Sequence, residues 1–119
     1  MTASERQFRS YVKLFVPTRD RLGNKLSKQK VFAWRRRAER LFREHVEGYY
    51  YYRITGAYRA GGGDWIKEPI WVITAFAPEG VCRFLIDALK ADFIQDMRRA
   101  LDQDEIGVES DLEGFKMYR

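Results

Sequence analysis

Apolar and polar side chains alternate from Phe8 to Val16. Val12, Leu14 and Val16 fall on one side, and Arg9, Tyr11, Lys13 and Phe15 on the other. A period of two predicts a strand. Pro17 and the following RDRLGN end it, because proline brings no amide to a ladder and Gly-Asn favours a turn. The period then lengthens. Val31, Trp34, Ala38, Leu41, Phe42 and His45 recur at helical spacing. Ser27 stands before them, where its hydroxyl can accept from amides of the first turn. Gly48 is expected to close the helix in the left-handed conformation.

Strand-like patterns return at Tyr49–Tyr58 and Glu68–Ala77. In the second, Ile70, Val72, Thr74 and Phe76 alternate with Trp71, Ile73 and Ala75, so either set can face the core. Pro69 belongs at the start of that strand or on an edge. Pro78-Glu79-Gly80 opens a second helix, whose apolar stripe is Val81, Phe84, Leu85, Ala88, Leu89, Phe93 and Met97, reaching Leu101. Ile106–Glu109 and Phe115–Tyr118 read as short strands around Gly114. The order strand, helix, strand, strand, helix, strand predicts an α+β fold: a ferredoxin-like β-α-β-β-α-β sandwich, with two helices on one face of an antiparallel sheet. The 119 residues make one domain, 1–119.

The glycine run Gly61-Gly62-Gly63 raises the question of a phosphate loop. Such a loop needs Lys-Ser/Thr and a helix start after the glycines. Here Asp64-Trp65-Ile66 and another strand follow, so the run reads as a hairpin tip that needs positive φ.

Charge changes the picture more than composition does. The net charge is +5. Seven bases against three acids lie between Ser27 and Glu47, while six acids and no base lie between Asp102 and Glu113. The surface is therefore polarised. Arg36, Arg40 and Arg43 share one stripe of the first helix and are the phosphate or nucleic-acid candidates, since the guanidinium fork suits phosphate oxygens. The competing reading is a solvated face interleaved with Glu39, Glu44 and Glu47.

Catalytic chemistry has few carriers. His45 is the only histidine and lies beside the apolar stripe near a helix end; Cys82 is the only cysteine and lies early in the second helix. Both read as structural residues. Asp102, Asp104, Glu105 and Glu109 lack the spacing of a calcium loop and read as a solvated helix end. No catalytic residue, metal or cofactor is assigned. A lone cysteine fits a reducing compartment, no apolar run approaches the ~18 residues of a membrane span, and the start MTASERQFRS has no signal-type apolar run. The expected location is cytoplasmic.

The face of the sheet away from the helices should carry Tyr11, Phe15 and tyrosines such as Tyr50 and Tyr52. With them goes one set from the third strand, either Ile70, Val72 and Phe76, or Trp71 and Ile73. That patch is larger than a monomer usually leaves bare, so a homo-oligomer, with a dimer favoured, is expected to bury it. The interface candidates are Tyr11, Phe15, Tyr50, Tyr52, Trp71 and Ile73. Such aromatics also suggest an RNA-recognition motif. "KLFV" at Lys13–Val16 suits its first strand, but "KEPIWVITAF" lacks the glycine and paired aromatics of its third, so that family is not adopted.

Three stretches, "KLFVPTRD", "GAYRAGGGDWIKEPIWVITAF" and "QDEIGVESD", resemble a group of small bacterial proteins of unknown function. The resemblance implies a ferredoxin-like single domain and carries over no catalytic residue. The expectation is a non-enzymatic, oligomeric binding or regulatory module. The alternatives are a nucleic-acid-binding protein using the basic helix, and a small-molecule enzyme with a pocket at the sheet or subunit interface.

Overall fold

The computed structural model describes residues 8–59 and 62–119. Its elements are β1 (Ser10–Val16), α1 (Lys28–His45), β2 (Tyr50–Arg59), β3 (Trp65–Ala77), α2 (Glu79–Ala88), a π-helical turn (Leu89–Phe93), α3 (Ile94–Ala100), β4 (Ile106–Ser110) and β5 (Gly114–Tyr118). The strands form one antiparallel sheet in the order β2-β3-β1-β4-β5. The architecture is α+β, as expected. The fifth strand, hairpinned onto β4, departs from the plain four-stranded arrangement.

In β1 the even-numbered side chains are buried, and Val12, Leu14 and Val16 are fully covered. Register carries that face across the sheet. Leu14 pairs with Ile73 and Val108, and Val12 with Ala75 and Ser110. These residues meet Val31, Trp34, Ala38 and Phe42 of α1, and Leu85, Leu89, Ile94 and Met97 of the second helical arm, in one core.

Local chemistry sets the helix ends. Ser27 Oγ accepts from the Lys30 amide at 3.1 Å, as its position predicts. The other end differs from expectation: α1 stops at His45, where Val46 turns extended while its amide still donates to the Phe42 carbonyl. Gly48 lies beyond that end and is not left-handed. The second helical arm also departs from a simple stripe. Its buried positions are Cys82, Leu85, Ile86, Leu89, Ile94, Met97 and Leu101, whereas Phe84 is 72% exposed. The step from Leu89 to Ile94 is five residues. The π turn inserts the extra residue and so keeps Ile94, Met97 and Leu101 over the core.

β2 and β3 continue past the end of β1 as a two-stranded ribbon. β1 pairs only with Trp71–Ala77, while β2 pairs with β3 down to Arg59 opposite Trp65. Pro69 sits in this ribbon, where β3 has one neighbour and a missing amide costs no ladder bond. The tip contains Gly62 with φ of 77°, a backbone that favours glycine. Gly61 lies outside the described residues. With six residues of β3 beyond β1, at ~3.3 Å each, the ribbon accounts for much of a long axis of 59 Å against 24 Å across.

Candidate active site

A short loop after β1 prepares the site. Asp20 Oδ1 accepts from the amides of Leu22 and Asn24, both at 2.9 Å, and Gly23 closes the turn with φ of 84°. The Leu26 amide returns to the Thr18 carbonyl. The loop is pinned from outside as well. Gln103 donates from its amide nitrogen to the carbonyls of Arg19 and Leu101, and Arg21 bonds Asp102 through backbone and side chain. Thr18 and Arg19 thus present two amides toward the ribbon.

Glu68 meets them. Its Oε2 accepts from the Arg19 amide at 3.0 Å and the Thr18 amide at 3.3 Å, and the Thr18 hydroxyl donates to the carbonyl of the adjacent Pro69. Both carboxylate bonds end on Oε2, so Oε1 is not engaged by this loop. Glu68 is only 6% exposed. Burial pushes its carboxyl above the ordinary 4.5, against the two amides and the charge of Arg19, which pull the other way. Tyr58 stands diagonally across the ribbon, since Gly56 pairs with Glu68 and Tyr58 with Ile66. Burial, and then the charge of Glu68, raise the Tyr58 phenol above its ordinary 10, so it stays a neutral donor at physiological pH.

These two residues line a cleft of about 790 Å³ between the ribbon and the approach to β4. Gly56 and Ile70 line it too. A Cβ on Gly56 would come to 2.5 Å from Ile70 Cδ1, so the glycine makes room for that side chain. Its acids are Glu68, Asp20, Asp104 and Glu105; its bases are Arg21, Arg59 and Arg119. Two of those bases are already paired, Arg21 with Asp102 at 3.1 Å and Arg119 with Glu105 at 2.8 Å. A cleft with a desolvated carboxylate suits a cationic ligand. Buried carboxyls with a shifted pKa in clefts are a common mark of a functional site.

The sequence-selected residues lie elsewhere. Arg36, Arg40 and Arg43 are exposed on the outer side of α1, with Arg36 over the Phe32 ring and Arg43 Nε donating to the Tyr49 hydroxyl. His45 Nδ1 bonds the Leu41 carbonyl at 2.9 Å, a helix-end role. Cys82 is fully buried with its thiol toward the Ala77 carbonyl, and burial raises its pKa. The late acids disperse: Asp102 pairs with Arg21, Glu105 with Arg119, and Glu109 accepts from the Tyr11 hydroxyl. Among the described residues no three histidine, cysteine, aspartate or glutamate side chains gather as metal ligands.

Tyr11, Phe15, Tyr50 and Tyr52 do share the helix-free face. Trp71 and Ile73 do not. Pairing of Leu14 with Ile73 and of Val16 with Trp71 turns both toward the helices, and Ile73 is fully buried. Ile70, Val72 and Phe76 take the open face instead. Sequence reasoning passed over Glu68 and Tyr58. The available signal was a carboxylate in register with Ile66, Ile70 and Val72, on a side of the strand where the other polar residue is Thr74.

No family model matches the chain, and no curated protein matches it. Two solved structures are similar. A phage SAM lyase in complex with S-methyl-5'-thioadenosine aligns with a TM-score of 0.61 at 16% identity, covering 98% of this chain and 95% of that one. A phage SAM lyase in the apo state aligns with a TM-score of 0.54 at 16% identity, covering 92% and 86%. Neither bears on the group of small bacterial proteins resembled above. At this identity the likeness is one of fold. It nonetheless runs over almost the whole of an enzyme chain, and it overturns the expectation of a non-enzymatic module; the small-molecule enzyme among the alternatives fits better.

Proposed function

We propose that this protein is a lyase acting on a sulfonium nucleoside of the SAM type, with Glu68 as its central functional group. The observation that carries the reading is the buried Glu68 carboxylate, fixed by the Thr18 and Arg19 amides in a cleft that holds Tyr58. The folds compared above support it, one of them with S-methyl-5'-thioadenosine bound. We also infer that the body of the domain is ferredoxin-like, with β5 added at one edge.

The chemistry is consistent with the site. To release S-methyl-5'-thioadenosine from a sulfonium without added water, the bond from sulfur to the amino-acid chain breaks. Its electron pair goes to sulfur, which becomes neutral, while the neighbouring carbon gives up a proton to Glu68. The pair of that C–H bond forms a carbon–carbon double bond in the departing amino-acid chain. Positive charge therefore leaves the sulfur as the reaction proceeds. Exclusion of water as substrate fills the cleft favours that loss of charge. An ionised Glu68 meets the cationic end of the substrate, and burial makes it more basic than an exposed glutamate, which suits proton transfer. The neutral Tyr58 phenol donates a hydrogen bond. Gly56 and Ile70 shape the wall.

The experiment is to incubate the protein with SAM and follow S-methyl-5'-thioadenosine by chromatography and mass spectrometry. Product that forms with the native protein and is lost in Glu68→Gln supports the assignment. No product under any condition overturns it.

The open sheet face leads to a further part of this reading. Tyr50 is 49% exposed, Phe76 44%, Phe115 57% and Met117 47%. Met117 also lines the Glu68 cleft. We propose that a second copy of the chain covers this face and closes the cleft beside it.

A further inference from the structure

Across the loop from Glu68 lies a second cavity, of about 480 Å³. Five basic residues line it, Arg19, Lys25, Lys28, Arg35 and Arg53, and among the described residues no acid does. Its apolar wall includes Phe32 and Trp71. The Thr18–Arg19 segment links the two cavities: its amides hold Glu68, which lines the first, and both residues line the basic one.

Several features make this a built site rather than a solvated basic surface. The Arg35 guanidinium lies 4.4 Å from the Trp71 ring centroid, 4.7 Å from Tyr51 and 5.2 Å from Phe32. Arg53 joins the same cluster, 5.5 Å from Trp71. The aromatic rings hold both guanidiniums in place. Glu39 pairs with Arg35 from outside the cavity: its Oε2 lies 3.5 Å from Arg35 Nε, and its Oε1 accepts from the Tyr49 hydroxyl. One buried guanidinium nitrogen on a lining residue, Arg19 Nε, has no hydrogen-bond partner among the described residues. The cavity also lies at the N-terminal end of α1, whose first turn carries no acid to offset the helix dipole.

We infer that this cavity binds a nucleotide, with its phosphate among Lys25, Lys28 and Arg53 and its base against the Phe32 and Trp71 side. The size supports a small molecule, because such pockets typically run from ~300 to ~1,000 Å³. The charge requires an anion, and the aromatic wall favours one that carries a planar ring. The site is separate from the lyase reading and stands without it.

The test is an NMR titration of isotope-labelled protein with AMP, adenosine and inorganic phosphate at low salt. AMP should shift the Trp71 indole and the amides of Lys25 to Lys28 saturably, with submillimolar affinity. Phosphate should act at the same residues more weakly, and adenosine should not saturate. In a Lys25→Ala/Lys28→Ala/Arg53→Ala variant, AMP affinity should fall at least about tenfold, since removing one charge-assisted hydrogen bond costs around one decade. All three substituted residues are exposed, so circular dichroism should report an unchanged fold. Several results would overturn the proposal: no saturation by AMP, equal binding by the variant, adenosine binding as well as AMP, or shifts centred on Tyr58 and Glu68. A further one is an oligonucleotide that saturates these residues when AMP does not, which would make the surface a nucleic-acid groove.

Discussion

Replacing Glu68 separates catalysis from stability, because its two hydrogen bonds end on one oxygen. In Glu68→Gln the amide oxygen can still accept from Thr18 and Arg19, while the cost of holding a desolvated charge disappears. In Glu68→Ala both amides lose their partner. An orphaned amide costs ~1–3 kcal/mol. The low end applies here because water can reach part of the loop, and relief of the buried charge offsets some of the loss. Glu68→Ala should therefore destabilise by roughly 1–2 kcal/mol, or about 4–10 °C in Tm for a domain of this size. Glu68→Gln should melt at or above the native temperature. The pH dependence fixes the sign. Burial raises this carboxyl above its ordinary 4.5. The native state thus holds the proton more tightly than the unfolded chain. Glu68's contribution to stability is fully present below pH 4.5 and is lost as pH rises through the raised value. The Tm advantage of Glu68→Gln should accordingly open as pH rises. Turnover should do the opposite, falling at least ~100-fold in Glu68→Gln if the carboxylate takes part in proton transfer, and rising with pH in the native enzyme. Thermal melts across pH, paired with product assays, read both. If Glu68→Gln melts as low as Glu68→Ala, the hydrogen-bond account is wrong. If Glu68→Gln keeps native turnover, the catalytic assignment is wrong.

Tyr118 donates to Glu113 at 3.0 Å, and burial first, then that bond, push its phenol up to about 12. Its stabilisation should be full below pH 10 and vanish as pH climbs through about 12; ultraviolet titration should show one tyrosine ionising late. Tyr118→Phe should cost ~0.5–1.5 kcal/mol, and should let the Glu113 carboxyl rise from its lowered pKa, which NMR titration would show. Cys82, fully buried with a raised thiol pKa, should resist disulfide reagents in the folded protein and react fully in denaturant; rapid native labelling would contradict its placement. Light scattering should find an oligomer, and charges placed by Tyr50→Lys with Phe115→Lys should dissociate it while circular dichroism stays native; a monomeric native protein would refute the covered sheet face.

The elements themselves were legible in the chain, because strand and helix periods are local. Val12, Leu14 and Val16 declared the buried side of β1, Ser27 declared the start of α1, and the glycines before Trp65 declared a hairpin. What alternation does not contain is the choice of which face is covered. In β3 both sets are apolar, and only pairing of Ile73 with Leu14 put Trp71 and Ile73 under the helices. Nor did an even helical stripe reveal the π turn, which exists because Ile94, Met97 and Leu101 must reach one core. The candidate site was hidden for the same reason at longer range. Glu68 and the amides of Thr18 and Arg19 are about fifty residues apart in sequence, and nothing near Glu68 announces their meeting. The desolvation that makes this glutamate unusual is a property of the packed loop and ribbon. So is the basic cavity, whose five cations come from the loop, α1 and β2. Periodicity reports what each segment can bury; only the tertiary structure decides which distant groups share the space left over.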